Sequence, residues 1–299
     1  MGEKIGFIGL GIMGREMARN LLTNGGFHLT VFNRTESKCL PFTQMEAKIG
    51  STPKGTTEES DLVLLMLADS DAVECILTGE GGVLSGMGKG KTLIDMGTNS
   101  PPFNRRVKSM VEERGGKYLE APVLGSRIPA REGTLTILVG GDESSYQKAR
   151  PILSLMGKTL IYMEEVGRAS QMKLVVNQIM AGMVALFSEG MTLGERSGIP
   201  PSKMLEVLQN SAIDTPLFRG KGPNMLISHD YYPHFPLKHA QKDLRQALAT
   251  AESHGVASPV TAAANALFLL ARDMGHGDED FSAVIKTLLR GDGDVHIDY

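Results

Sequence analysis

This 299-residue chain has few cysteines and little net charge, and each of these features excludes a class of protein. The chain has two cysteines, Cys39 and Cys75. They cannot form a disulfide framework or a four-cysteine zinc site, so we predict two thiols in a reducing, cytoplasmic setting. Lys plus Arg is 31 and Asp plus Glu is 34, a formal net charge of −3. This balance lacks the basic excess of a nucleic-acid-binding protein.

Long apolar runs are missing as well. No run approaches the roughly 18 residues of a membrane-spanning helix. The start, MGEKIGFIG, passes directly into an apolar strand pattern without the regions of a secretory leader. We therefore expect neither a membrane partner nor a nucleic-acid partner. Hydrophobic residues make up 41% of the chain, which suffices for packed cores, and the length indicates about two domains.

The two halves of the sequence show different periodicities. Up to about residue 165, short β-rich runs alternate with helical stretches, and runs such as LVLLML (62–67) fit strands that are buried on both faces. This alternation predicts a doubly wound α/β domain over 1–165. From 166 to 299 the strand signals stop, which predicts an all-α domain. The predicted strands are 4–8, 29–33, 62–67, 92–96, 118–121, 134–139 and 159–163. The predicted helices of the second half are 172–198, 202–211, 216–227, 238–254, 259–274 and 281–290, followed by a loosely ordered tail at 291–299.

A glycine-rich turn follows the first predicted strand and opens a predicted helix. Its residues are Gly9, Leu10, Gly11, Ile12, Met13 and Gly14. In this strand–turn–helix context, Gly-x-Gly-x-x-Gly is typical of a Rossmann domain that binds a dinucleotide. The first glycine permits the tight turn, the second allows the pyrophosphate to approach, and the third lets the helix pack closely. The phosphates would rest on the helix N-terminus.

The end of the second predicted strand indicates which dinucleotide is bound. NAD enzymes usually place an acidic residue there to accept a hydrogen bond from the ribose 2′-hydroxyl. This chain instead has Asn33, Arg34 and Thr35. The guanidinium of Arg34 can pair with a 2′-phosphate, so we predict NADP. Because Glu36 is close by, NAD remains the alternative.

Lys173 and Asn177 lie one turn apart on one face of the long apolar helix predicted over 172–198. By composition alone, Lys173 could equally be a structural residue with a buried stem and a solvated ammonium. Reduction of a carbonyl develops alkoxide charge, and a lysine positioned there could protonate it. Asn177 would then orient the ammonium or hold a substrate oxygen. The helix is apolar nearly all round, so we expect it to be buried in the fold or at an interface.

The sequence resembles the β-hydroxyacid dehydrogenase family over roughly residues 4–290, and within it most of all the glyoxylate/succinic semialdehyde reductases. The motifs that carry the resemblance are FIGLGIMG (7–14), VFNRT (31–35), LEAPVLGSRIPAREGTL (119–135), MKLVVN (172–177), FSEGMTL (187–193), FPLKHAQKD (235–243) and DFSAV (280–284). The resemblance implies that Lys173 is the catalytic lysine, with Asn177 beside it. It also implies that Thr98, Leu67, Ala68 and Lys242 contact the cofactor and that Phe235 and Asp243 help to form the substrate pocket.

The sequence departs from the family pattern at two positions. Where the family's substrate loop has a serine that donates to the substrate carboxylate, this chain has Leu124. The backbone N–H groups of Gly125 and Ser126 remain, and the Ser126 hydroxyl could substitute. Gly97 stands where serine is common in the family. Both changes make the predicted pocket less polar, which disfavours glyoxylate as substrate.

Taken together, these features predict an NADPH-dependent reductase of small aldehyde acids, with its active site in the cleft between two domains and a homo-oligomeric state of two or four chains. Two alternatives stay open: a 3-hydroxyisobutyrate-type dehydrogenase or imine-type reductase, and a non-catalytic NADP-binding oligomerisation module. We predict no metal site, since the spacing of His229, His234 and His239 does not place the three on one helix face.

Overall fold

The computed structural model describes residues 3–289, and these divide into two compact units between Leu174 and Val175. The sequence prediction placed the domain boundary at 165/166, at the junction of the last strand and the long helix. In the structure, the division instead falls inside that helix. Each unit is described by itself below. The predicted tail at 291–299 lies outside the described residues.

The first unit is built on a sheet whose strands match the predicted ones within a few residues. The strands are β1 (Lys4–Ile8), β2 (His28–Phe32), β3 (Lys48–Ile49), β4 (Leu62–Leu65), β5 (Thr92–Asp95), β6 (Lys117–Glu120), β7 (Val123–Leu124), β8 (Leu135–Gly141) and β9 (Gly157–Tyr162). The two-residue strands β3 and β7 were not predicted, because they are too short to show periodicity.

Helices connect these strands. They are α1 (Gly14–Gly25), α2 (Leu40–Thr43), α3 (Pro53–Glu58), α4 (Ser70–Thr78), α5 (Val83–Gly86), α6 (Pro101–Glu112), α7 (Arg127–Glu132) and α8 (Glu143–Leu153). Asp142 caps α8 and Thr52 caps α3, each accepting a hydrogen bond from a backbone N–H of the first turn.

The strand order is β3-β2-β1-β4-β5-β6-β8-β7, with β9 also paired to β8. The first six strands in this order run parallel, and β6 pairs antiparallel with β8. The order 3-2-1-4-5-6 is that of a Rossmann fold, which confirms the predicted class. All four residues of β4 are buried because apolar side chains cover both faces of the sheet.

The loops at the carboxyl ends of the central parallel strands are held in register by the sheet. Backbone hydrogen bonds continue one residue beyond the strands, from Gly9 N to Phe32 O and from Met66 N to Ile8 O, both at 2.9 Å. The same holds for Met96 N to Leu65 O at 2.9 Å and for Ala121 N to Asp95 O at 2.6 Å. In doubly wound folds, ligands bind at this edge of the sheet.

Helices build the second unit. The long helix α9 (Arg168–Arg196) enters it from the first unit. It is followed by α10 (Pro201–Gln209), α11 (Pro216–Pro223), α12 (Leu237–Ser253) and α13 (Pro259–Ala271). Two predicted helices are α-helical only in their first part, and a third is not α-helical over its described residues. The chain forms π-turns over Asn224–Ser228 and Arg272–His276, and Phe281–Thr287 is a 3₁₀ helix rather than the α-helix predicted over 281–290.

Helix α9 is the one helix within residues 3–289 that is long and apolar enough to cross a membrane by length and composition. A core helix passes the same test, and α9 contributes Ala181, Val184 and Phe187 to the apolar core of the second unit. Its opposite face is exposed, since Leu186 and Leu193 each keep 70% of their surface. The expected burial of α9 on all sides therefore does not occur within one chain.

Candidate active site at the carboxyl edge of the Rossmann sheet

The glycine-rich turn between β1 and α1 has the geometry that the sequence motif predicts. Gly9 has φ +105°, and a Cβ there would lie 2.4 Å from Met66 O. A Cβ on Gly14 would lie 1.9 Å from Gly9 O, so only glycine lets the helix begin so close to the strand. Gly11 is exposed, and a Cβ there would meet no protein atom within 4 Å. Leu10, Ile12 and Met13 complete the turn.

The residues of the cofactor-selecting segment play different structural roles. Asn33 Oδ1 accepts a hydrogen bond from Leu10 N at 2.9 Å, and Asn33 Nδ2 donates to Thr35 O at 2.9 Å. Asn33 therefore ties the end of β2 to the glycine-rich turn. Arg34 and Glu36 are both exposed. In this segment Arg34 is the side chain that brings a positive charge to the end of β2.

A buried carboxylate shapes the loop that carries Thr98. Asp95 Oδ1 accepts from Gly97 N and Asp95 Oδ2 from Asn99 Nδ2, both at 2.9 Å, and Asn99 Oδ1 accepts from Ser70 Oγ at 3.0 Å. These bonds join the loop after β5 to the start of α4, just beyond Leu67 and Ala68. Leu67 is half-buried and Ala68 is exposed.

The structure gives a reason for Gly97 in place of the family's serine. A Cβ at this position would lie 3.1 Å from Asp95 Oδ1 and 3.2 Å from Leu67 O. Both distances are tighter than most Cβ contacts, so a side chain would fit only if the loop shifted slightly.

The predicted substrate loop lies between β6 and α7. Leu124 is half-buried and pairs with Thr136 in β8, Gly125 has φ +130°, and Ser126 is the residue before α7. Arg127 Nε lies 3.3 Å from the buried Glu16 Oε1 of α1. Arg127 is therefore engaged with a carboxylate, and we do not assign it to the substrate.

The first turns of α9 carry Lys173, the predicted proton donor. Its side chain is buried, with 8% of the residue's surface exposed. The carboxylate of Glu120, at the end of β6, accepts hydrogen bonds from three backbone N–H groups at the start of α9. Burial, together with the Asp95 and Glu120 carboxylates, raises the pKa of the Tyr118 phenol on β6 well above its usual value.

In the second unit, Asn177 is bonded to the predicted Lys-Asp pair of α12. Asn177 Nδ2 donates to Asp243 Oδ2 at 2.5 Å, and both residues are buried. Lys242 Nζ lies 3.3 Å from Asp243 Oδ1, close enough for an ion pair although the angles are not those of a hydrogen bond. The structure thus brings Asn177 of α9 to Asp243 of α12, two residues that the sequence analysis assigned to the site from different motifs.

The buried carboxylate of Asp280 holds the segment that carries Phe235. Asp280 Oδ2 accepts from His234 N at 3.1 Å and from Phe235 N at 3.2 Å, and Asp280 Oδ1 accepts from Lys221 Nζ at 2.7 Å. The Phe235 ring packs against Phe281 with centroids 5.5 Å apart. Asp280 therefore fixes the segment that leads into α12.

The sequence analysis missed the buried carboxylates that organise these loops: Asp95, Glu120 and Asp280. Glu120 and Asp280 lie inside two of the quoted motifs, LEAPVLG and DFSAV. An acidic residue within an otherwise apolar strand is the signal that could have found Glu120, since carboxylates are rarely buried unless they are paired. Among residues 3–289, no group of three or more His, Cys, Asp or Glu side chains is arranged to hold a metal ion.

The residues at the sheet edge fit a dinucleotide. The three glycines meet three different requirements of pyrophosphate binding, and the loops after β1, β2, β4 and β5 share one edge. The fold and the site therefore define a nicotinamide-dinucleotide-dependent oxidoreductase.

Comparison with known proteins agrees with this class. Residues 4–164 match the family model described as the NAD binding domain of 6-phosphogluconate dehydrogenase. Residues 167–288 match the model described as the NAD-binding domain of NADP-dependent 3-hydroxyisobutyrate dehydrogenase. The chain belongs to the β-hydroxyacid dehydrogenase family, as its sequence motifs predicted, and it is an NADP-dependent oxidoreductase of that family.

Two relatives from Arabidopsis thaliana carry the name glyoxylate/succinic semialdehyde reductase. The chain is 44% identical over 285 residues to number 2, chloroplastic, covering 95% of this chain and 79% of that protein. It is 42% identical over 285 residues to number 1, covering 95% and 98%. A solved structure of Mycobacterium tuberculosis 3-hydroxyisobutyrate dehydrogenase with L-serine has a TM-score of 0.86 at 27% identity and covers 97% of this chain and 100% of that one.

Proposed function

We propose that this protein reduces small aldehyde acids, of the succinic semialdehyde and glyoxylate type, to hydroxy acids, with Lys173 as the general acid. The observation that carries the proposal is the burial of Lys173 on α9, one turn before Asn177. A lysine is seldom buried unless its charge has a partner, and in this proposal the partner during the reaction is the developing charge on the substrate oxygen. The names of the two Arabidopsis relatives support the choice of substrate class.

In the proposed reaction the aldehyde carbon gains two electrons and the oxygen gains a proton. When bound, NADPH supplies the hydride from its nicotinamide C4. Lys173 Nζ holds the proton and donates it to the aldehyde oxygen as charge develops there, and water then restores the lysine proton. Asn177, fixed by Asp243, holds a substrate oxygen. The backbone N–H groups of Gly125 and Ser126 bind the carboxylate.

The preference for NADP over NAD follows, in this proposal, from the end of β2. Arg34 supplies a guanidinium that pairs with the 2′-phosphate. Asn33 is used instead to hold the glycine-rich turn and the strand end together. Glu36 lies beyond the end of β2, at the start of a 3₁₀ turn, and in this proposal it does not contact the ribose.

Substrate preference within the class is tested by measuring NADPH oxidation with glyoxylate, succinic semialdehyde, tartronate semialdehyde and methylglyoxal. We expect the highest kcat/KM for succinic semialdehyde, because its two methylenes find apolar surface on Leu124. A second candidate, a 3-hydroxyisobutyrate-type dehydrogenase, is favoured by the match of 167–288. For this candidate, kcat/KM for 3-hydroxyisobutyrate in NADP reduction must exceed kcat/KM for every aldehyde acid in NADPH oxidation. That result would replace our proposal.

We also propose that a second copy of the chain covers the exposed face of α9. Ile179, Leu186 and Leu193 follow one another at intervals of seven residues, which places them on one face of the helix. They keep 58%, 70% and 70% of their surface. A row of exposed apolar side chains along one face of a helix favours a protein–protein interface there.

We propose a cytoplasmic location because the two cysteines are not joined in a disulfide. Cys39 is buried and Cys75 is exposed, and both are free thiols, as expected in a reducing compartment. Cell fractionation tests this proposal, and recovery of the protein in an organelle would contradict it.

A further inference from the structure

The carboxylate of Glu120 has no solvent exposure and makes four hydrogen bonds. Oε1 accepts from the backbone N–H groups of Gly167 at 2.7 Å, Ala169 at 2.9 Å and Ser170 at 3.3 Å. Oε2 accepts from Asn104 Nδ2 at 2.7 Å. A buried carboxylate is costly unless such donors compensate it. Here the donors include the N-terminal N–H groups of α9, which would otherwise lack partners.

These bonds connect three segments that carry predicted site residues. Glu120 ends β6, and the chain continues from it directly into the substrate loop with Leu124. Ala169 lies one helical turn before Lys173 on α9. Asn104 lies in the first turn of α6, which follows the loop of Thr98. One carboxylate therefore fixes the starts of α9 and α6 relative to the substrate loop.

Close packing against Gly140 of β8 leaves the Glu120 carboxylate little room to move. A Cβ on Gly140 of β8 would lie 2.7 Å from Glu120 Oε1 and 2.9 Å from Glu165 O. Gly167 has φ +105°, a backbone conformation that is strained for any residue with a side chain, and a Cβ there would lie 2.2 Å from Arg105 Nη1. Glycine at both positions lets β8 and α6 close around the start of α9.

We propose that Glu120 is a positioning residue for the reduction, holding the first turn of α9 so that Lys173 keeps its place relative to the substrate loop. This inference rests on the proposed role of Lys173. A side chain that serves only folding would affect stability alone. A positioning residue must also change the chemical step, because a displacement on the order of 1 Å can cost about 10²-fold in rate.

Glu120→Gln is the sharpest test because it removes the charge with almost no change in shape. Its amide oxygen can still accept from α9, but a neutral acceptor is weaker than a carboxylate. Its amide nitrogen would face the donor Asn104 Nδ2, so the Asn104 amide must turn to present Oδ1, which has no hydrogen-bond partner in the native arrangement. Both changes loosen the hold on the first turn of α9. We expect a folded enzyme with kcat lowered about 10-fold or more and NADPH affinity within about two-fold of the native value. The primary deuterium isotope effect, measured with NADPH deuterated at C4, should rise as the chemical step becomes slower.

Asp142→Asn is the matched control. Asp142 is also a carboxylate that caps a helix in the first unit, accepting from Ser145 N at 3.0 Å, but its helix α8 carries no predicted site residue. It should leave kcat and the isotope effect unchanged. If both variants only lose stability and Glu120→Gln keeps the native kcat, the positioning role is wrong.

Gly140→Ala provides a second test should Glu120→Gln fail to fold. Its Cβ would crowd both Glu120 Oε1 and the backbone carbonyl of Glu165 just before α9, so it disturbs the contact between the carboxylate and the start of α9 while leaving every hydrogen-bonding group present. We expect a lower kcat and a larger isotope effect, and native values of both would overturn the proposal. Activity of Lys173→Ala separates the two claims. An active Lys173→Ala enzyme refutes the proposed function, whereas an inactive one beside a fully active Glu120→Gln enzyme refutes only the role of Glu120.

Discussion

At the residue scale, buried carboxylates hold the loops and helices that carry the proposed site residues. Asp95, Glu120, Asp243 and Asp280 each keep 2% or less of their surface exposed. Each is bonded to the loop or helix of a proposed site residue: Thr98, Lys173, Asn177 and Phe235, respectively. Such buried polar networks are worth most when every member is satisfied.

Replacing the proposed proton donor should affect catalysis far more than binding. We expect Lys173→Ala to lower kcat by about 10²–10⁴-fold, the usual contribution of a general acid, with NADPH binding near normal. Steady-state kinetics and fluorescence titration of NADPH measure the two. Lys91→Ala is the control, since Lys91 donates to the carbonyls of Thr57, Glu58 and Ser60 at 2.6–2.9 Å and has no proposed role in the reaction. A Lys173→Ala variant with half the native activity would return Lys173 to a structural role.

The choice between NADPH and NADH should depend on Arg34. We expect Arg34→Ala to lower kcat/KM for NADPH by at least about 10-fold, since a bond to a charged group contributes roughly 1.5–3 kcal/mol, and to change NADH little. The comparison is made at one fixed aldehyde concentration. Arg106, paired with Glu74 at 2.7 Å, is also exposed, and Arg106→Ala should change neither value. Equal losses with the two cofactors would show that Arg34 does not contact the 2′-phosphate.

Leu124 should favour longer aldehydes over glyoxylate. Each buried methylene of succinic semialdehyde gains about 0.8 kcal/mol, whereas glyoxylate depends on polar donors that leucine cannot supply. Leu124→Ser should therefore raise kcat/KM for glyoxylate more than for succinic semialdehyde. Ile128→Ser, on α7 and 46% exposed, is the neighbouring control and should leave the ratio unchanged. An unchanged ratio in Leu124→Ser would mean that position 124 does not touch the substrate.

At the element scale, helix caps supply stability that depends on pH. The Ser144 and Ser145 hydroxyls and the Ser145 N–H donate to Asp142 and lower its pKa from 3.8 to about 2. The folded-state pKa lies below the unfolded one, so this stabilisation is present above about pH 4 and is lost as the pH falls towards 2.

Asp142→Ala should lower the free energy of unfolding by about 1 kcal/mol near neutral pH, and the loss should shrink as the pH falls from 4 towards 2. Urea unfolding at several pH values measures it. Thr52→Ala removes an uncharged cap, the hydroxyl that accepts from Gly55 N at 3.0 Å, and should cost a similar amount at every pH. A loss in Asp142→Ala that does not vary with pH would contradict the assigned cause.

At the scale of the whole molecule, the exposed apolar stripe on α9, formed by Ile179, Leu186 and Leu193, predicts self-association. We expect Leu186→Glu to shift the protein towards monomers in analytical ultracentrifugation, because it places a charge in the middle of an apolar contact. Leu40→Glu changes a leucine of the first unit that is 56% exposed and should leave the mass unchanged. A native protein that is monomeric at micromolar concentration would contradict the proposal outright.

Much of the first unit could be predicted from the sequence because its signals are local. The strand Lys4–Ile8 and the glycines at 9, 11 and 14 lie within one short segment. Backbone atoms leave no room for a side chain at Gly9 or Gly14, whereas the space beside Gly11 is open. Buried parallel strands such as Leu62–Leu65 are continuous apolar runs, and such runs are visible without a structure.

Helix ends and the supports of the site could not be predicted in the same way, because distant residues decide them. The sequence predicted that α9 begins at 172, whereas it begins at Arg168, where Glu120 of β6 supplies the acceptor for its first N–H groups. Likewise, the bond between Asn177 and Asp243 joins residues 66 positions apart. Neither the pairing of Glu120 with α9 nor that of Asn177 with Asp243 can be inferred from composition or periodicity.

The sequence by itself therefore determined the fold class and the family, since these follow from periodicity and short motifs, and it supplied the residues that we propose for the site. Only the tertiary structure decided which carboxylates are buried, that Arg127 is held by Glu16, and which face of α9 the chain leaves exposed. The physical reason is that burial and pairing are properties of the packed chain. Whether a carboxylate holds a helix in place, and whether a row of apolar side chains is left exposed, depends on the atoms that folding places around it.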